Sequence, residues 1–90
     1  MECTNSLKLG QIVRALAGRD KDKVFVVVGI IDNECVYIAD GAKRKIEAPK
    51  RKKIKHLQKY NLISESISEK LVKGEMPENT LIKRELSAYR

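Results

Sequence analysis

Hydrophobic positions along this 90-residue chain fall into two regimes. Over roughly the first sixty residues they form short runs separated by polar turns, and over the rest they recur at helical spacing. Leu9 to Ala17 is an apolar stretch interrupted by Gln11 and Arg14, followed by the polar turn Gly18 to Lys23. Val24 to Ile31 is β-branched at six of eight positions, and such side chains lose rotamer freedom in a helix but pack well on a pleated surface. A run apolar on both faces predicts a strand covered on both sides, with Gly29 free to let it bend. Asp32-Asn33-Glu34 reads as a turn and Cys35 to Ala39 as a third strand. Asp40-Gly41 matches a type I′ hairpin turn, which needs φ > 0 at both central residues; a side chain at position 41 should therefore be costlier than one at Gly74. Lys45-Ile46-Glu47 reads as a short fourth strand, ended or marked as an edge by Pro49, and the alternating Lys53 to Leu57 as a fifth.

Five short strands with tight turns predict an all-β fold: a small five-stranded SH3-like barrel over residues 5–60, closed because closure removes exposed edges. Residues 61–90 predict a short helical C-terminal appendage. Ser66-Ile67-Ser68-Glu69 fits a capping box, Ile67, Leu71 and Val72 share a face, and Gly74 stands where the helix should stop. A second helix is expected from Asn79, with Leu81, Ile82 and Leu86 as its apolar side. Helices this short are not stable alone, so they must dock on the barrel, on each other or on a partner. Because the strand pattern is complete by Leu57, the barrel is expected to fold without them.

Composition adds a sign. The chain carries 19 Lys and Arg against 12 Asp and Glu, a net charge of +7. Residues 1–60 hold 14 basic and 7 acidic side chains, and residues 61–90 hold 5 of each, so the whole imbalance belongs to the strand region. That favours a polyanionic partner. Cys3 and Cys35 are too few and too far apart for a disulfide scaffold and, with one histidine, cannot complete a zinc site; they read as ordinary thiols in a reducing compartment. No apolar run approaches the length of a membrane span, and the first residues lack the apolar stretch of a signal peptide. A cytoplasmic protein with no membrane partner is expected.

The densest feature is Lys43 to Lys55, with eight cations and one carboxylate in thirteen residues. A charge run is commonly a solvated face, but repulsion at this density weakens the isolated fold, and a polyanion relieves it. Two basic clusters around a spacer also fit a nuclear-import signal, although Ile46 and Ile54 suit strand positions instead. The aromatics are only Phe25, Tyr37, Tyr60 and Tyr89, too few for a base-stacking platform of the RRM kind, and no GxxG loop occurs. Recognition is therefore expected through phosphates and shape, as for structured RNA, with Phe25 in the core. His56, the single histidine, lies among lysines without a nucleophile, and Gly18-Arg19-Asp20-Lys21 lacks the Gly-Lys-Ser/Thr ending of a P-loop. No enzyme, cofactor or metal is expected.

Leu9 to Val28 resembles a KOW motif, the strand–loop–strand opening of SH3-like barrels in ribosomal proteins and transcription elongation factors, with Gly18 as its glycine. Ile30-Ile31-Asp32, Val36 to Gly41 and Lys50 to Leu57, ending in Lys-His-Leu, are similar to the barrel of the large-subunit ribosomal proteins fourteen-e, six-e and twenty-seven-e and their small bacterial relatives. The resemblance covers about residues 7–58, and relatives often have glycine where Asp22 stands. It implies binding to large-subunit ribosomal RNA, with Arg14, Arg19, Lys21 and Lys23 near the first loop joining Lys43, Arg44, Lys45, Lys50, Arg51, Lys52, Lys53, Lys55 and His56. Two other classes compete: an adaptor docking on ribosomal proteins or RNA polymerase, which the neutral tail would suit, and an architectural DNA-binding protein. Steep weakening by salt separates phosphate binding from the first, and duplex RNA against duplex DNA separates the second.

Overall fold

The computed structural model describes residues 7–89; Cys3 and the start of the expected barrel at residue 5 lie outside them. Five antiparallel strands, β1 (Gln11–Ala15), β2 (Val24–Ile30), β3 (Cys35–Ala39), β4 (Lys50–Lys53) and β5 (Leu57–Ile63), form one sheet in the order β4-β3-β2-β1-β5. One 3₁₀ turn, Ile54–His56, connects β4 to β5, and two short helices follow, α1 (Glu65–Val72) and α2 (Asn79–Ser87). The small barrel-like all-β fold with a helical C-terminus is the one the hydrophobic pattern predicts.

The run Val24–Ile30 explains how the parts fit. Phe25 and Val27 join Val13, Ala15, Val36, Ile38 and Leu57 in an inner cluster. Val24 and Val26 alternate to the other face and pack with Ile12, Ala39, Ile46, Ile67, Ile82 and Leu86. The second cover that a doubly apolar strand requires is therefore supplied by the helices. β5 runs past residue 60 to Ile63, and Ile67, Ile82 and Leu86 are fully buried. Gly29 lies where the β2–β3 register shifts, a bulge that bends the strand. Gln11 is a buried polar residue that ties two strands together. Its amide donates to the Tyr60 and Leu62 carbonyls at 2.6 and 3.3 Å, where the β1–β5 register also shifts.

Four local expectations are corrected. Lys53–Leu57 is not the fifth strand: Lys53 ends β4, Ile54–His56 forms the 3₁₀ turn, and β5 begins only at Leu57. Lys45–Glu47 is not a strand; it belongs to the loop of residues 40–49, and β4 begins at Lys50. Ile46 is instead buried against α2, its N–H donating to Asn79 Oδ1 at 2.8 Å, so a side chain replaces the ladder partner. Asp40-Gly41 is not a type I′ turn: Gly41 has φ +80°, but Asp40 is not in the left-handed region. The Asp40 carboxylate instead accepts from the Ala42 and Arg44 amides, both at 2.9 Å, folding the loop from its first residue. The cap of α1 is Ser64, not Ser66, because β5 delivers the chain to the helix at that point. Ser64 Oγ accepts from the Ile67 amide and donates to Glu85 Oε1 at 2.7 Å, linking both helices. Gly74, with φ +83°, follows the α1 C-cap as expected.

Candidate nucleic-acid interface

The basic segment is built on a sheet edge. β4, with the sequence KRKK, is the outermost strand beside β3, and lysine on an edge discourages pairing with another chain. Its register places Lys50 opposite Ile38 and Lys52 opposite Val36, both inner-cluster residues, and Arg51 opposite Tyr37 on the other face. Lys50 and Lys52 are accordingly half-buried, while Arg51 and Lys53 are exposed.

The half-buried pair connects the two basic regions. Lys50 Nζ lies 2.9 Å from Asp20 Oδ2, and Lys52 Nζ donates to the Ala17 carbonyl at 3.2 Å. Both targets are in the loop between β1 and β2, which carries Arg19, Lys21 and Lys23. Asp20, buried within that loop, is the residue that sequence reasoning missed. The bond from Lys50 holds its carboxyl below the usual range, against desolvation, with the charges of Lys50, Arg44 and Lys23 adding to the effect. One carboxylate thus gathers cations from both loops and from β4. The signal for it was present in the sequence as one of two acids in a cationic turn. Asp22 keeps the left-handed φ of +72°, so the turn holds the backbone that glycine would give.

The other expected residues fall into two further groups. Arg14, on β1, donates to Gln58 Oε1 at 2.7 Å and lines a cleft of about 520 Å³ with Lys23 and Lys43. Lys53 and Lys55 flank a smaller hollow beside Asn33 and Glu34 of the β2–β3 turn. There Asp32 accepts from the Glu34 and Cys35 amides at 2.8 Å, and these bonds lower its pKa. His56 is half-buried, and its carbonyl accepts from the Leu16 amide at 2.8 Å. Lys45, Lys21 and Arg19 are exposed. Phe25 is fully buried, as expected, and Cys35 is a buried free thiol. Among the described residues, the Lys50–Asp20 contact is the only ion pair made by any of these basic side chains.

Asp20→Asn tests the gathering role. The carboxyl titrates lower in the folded state, so its stabilisation is present above its unfolded value of 3.8 and disappears as pH falls through the folded value. The variant is expected to melt earlier at pH 7, by about 1–2 kcal/mol for an unpaired, partly buried Lys50. It should also lose less stability between pH 4 and 2 than the parent. Asp32 and Glu47 also titrate low, so some acid loss remains. Parallel melting curves across that range would show that Asp20 holds nothing.

A small all-β scaffold with a cationic edge and mostly unpaired cations defines a class of basic, barrel-like proteins. No family model matches the chain. It is 36% identical over 59 residues to the Bacillus subtilis protein named "Putative ribosome-binding protein YbzG", a stretch covering 66% of this chain and 80% of that relative. The chain belongs to the family of that protein.

Proposed function

We propose that this chain is a non-enzymatic, ribosome-associated protein that grips structured RNA of the large subunit through its basic edge. One observation carries the reading: among the described residues, the eight cations between Lys43 and Lys55 meet a single carboxylate partner, Asp20. Unpaired like charges held close together on a folded edge are stabilised by a polyanion, and the name of the Bacillus relative points to the ribosome as its source. Lys50 and Lys52 position the edge; Arg51, Lys53 and Lys55 are the exposed groups that reach phosphates. A cytoplasmic location follows from that partner.

The test therefore spares the positioning lysines. Arg51→Gln, Lys53→Gln and Lys55→Gln together keep side-chain length and remove three exposed charges, with each exposed change altering stability by under about 0.5 kcal/mol. Affinity for a large-subunit RNA fragment should fall across many RNA sequences alike. The slope of log K against log salt should become shallower by roughly 2–3 units, near 0.7–0.9 per phosphate contact. A folded triple variant with the parent's affinity and slope would remove this edge as the site. A shallow slope in the parent itself would point to a protein partner in place of RNA.

A further inference from the structure

The cleft that Arg14 lines has a chemistry of its own. Arg14, Lys23 and Lys43 line it with two half-buried aromatic rings, Tyr60 of β5 and Tyr89 beyond α2. The rings meet edge to face, with centroids 6.2 Å apart and planes at 66°, so they do not stack on each other. The Arg14 guanidinium is fixed by Gln58, and its Nε is a buried donor without a partner among the described residues. Asp22 and Asp40 also line the cleft and add acceptors. Cations, aromatic rings and carboxylate acceptors in one space of about 520 Å³ match the three parts of a nucleotide: phosphate, base and hydroxylated sugar. A purely anionic ligand would meet repulsion from the two aspartates, and a purely apolar one would bury the cations unpaired.

We infer that this cleft takes one unpaired nucleotide extruded from folded RNA, its base against Tyr60 or Tyr89 and its phosphate among Arg14, Lys23 and Lys43. The inference rests on the RNA reading above and refines it: the edge supplies affinity without sequence, and the cleft selects RNA that offers a bulged base. The site depends on α2 returning the chain to the sheet, which places Tyr89 beside Tyr60.

The experiment compares a fully paired RNA hairpin with the same hairpin carrying a single-nucleotide bulge. The parent should bind the bulged form about tenfold more tightly, the scale of one base–aromatic stack. Tyr60→Leu and Tyr89→Leu keep apolar bulk and should reduce that preference, while binding to the paired hairpin stays within about twofold. Lys43→Gln, at an exposed position where a substitution changes stability little, should weaken the bulged complex more than the paired one. Equal, salt-sensitive binding of both hairpins by the parent would overturn the nucleotide site and leave the RNA reading intact. So would a preference that survives in all three variants. Failure of the parent to bind either hairpin would overturn the RNA reading itself, and this inference with it.

Discussion

Removing residues 65–90, which leaves all of β5 in place, is expected to abolish cooperative folding. The outer face of the sheet presents Ile12, Val24 and Val26, joined by Ile46 from the loop, and none of these is more than 8% exposed in the intact chain. Burying an aliphatic side chain of this size contributes about 1.5–3 kcal/mol, so uncovering four removes roughly 6–12 kcal/mol. Such area-based figures are upper bounds. Even half of that amount is comparable with the whole stability of a small domain, about 5–15 kcal/mol. Circular dichroism should show a broad, non-cooperative melt and the fragment should bind hydrophobic dyes. Within the full chain, Ile82→Ala should cost about 2–5 kcal/mol, because Ile82 is fully buried against the same face. A fragment that melts sharply within a few degrees of the intact protein would establish the strands as a self-sufficient unit.

The sequence carried the warning in Val24 to Val28. Five consecutive apolar residues say that both faces are covered, but they do not say by what. Closure of a small barrel and docking of a distant helix produce the same pattern in a strand, because burial depends on solvent exclusion and not on the origin of the covering atoms. The third strand was legible because Cys35 to Ala39 is bounded by strong turn residues. The fourth was not, because Lys50 to Lys53 has no apolar residue. An edge strand of lysines draws its ladder bonds from β3 alone, and periodicity cannot reveal it. Ile46 resembles a strand residue since it is apolar between charges, yet its burial depends on Asn79, thirty-three positions away.

The candidate site was legible as a set of cations and not as an arrangement. Charge density alone marked Lys43 to Lys55, but it could not distinguish Lys50, which holds Asp20, from Arg51, which faces the other side of the strand. That distinction follows from register, a property set by β3 and visible only in three dimensions. The scarcity of aromatics argued against a base-stacking platform of the RRM kind. What a count of residues does not show is that two of the four rings converge from residues 60 and 89.

Gly41→Ala should destabilise the protein far more than Gly74→Ala, although both glycines have nearly the same backbone conformation, φ +80° and +83°. Left-handed backbone costs a side-chain-bearing residue about 1–2 kcal/mol at either position. At Gly74 that is the full effect, because an added Cβ meets nothing within 4 Å. At Gly41 the same carbon would overlap the Asn79 carbonyl oxygen and lie 2.9 Å from Lys83 Cγ and 3.1 Å from Lys83 N. Those atoms belong to the first turns of α2, and backbone does not yield as a flexible side-chain tip does. Relieving the contact means lifting α2 from the loop, which strains the Asn79 bond to the Ile46 amide and loosens Ile82 in the core. Overpacking of this kind adds about 1–3 kcal/mol, giving roughly 2–5 kcal/mol at Gly41 against about 1–2 kcal/mol at Gly74. Paired urea melts of the two alanine variants read the difference directly. Equal midpoints would mean that α2 does not press on the loop at Gly41, and the close approach that seats Tyr89 beside the sheet would have to be abandoned with it.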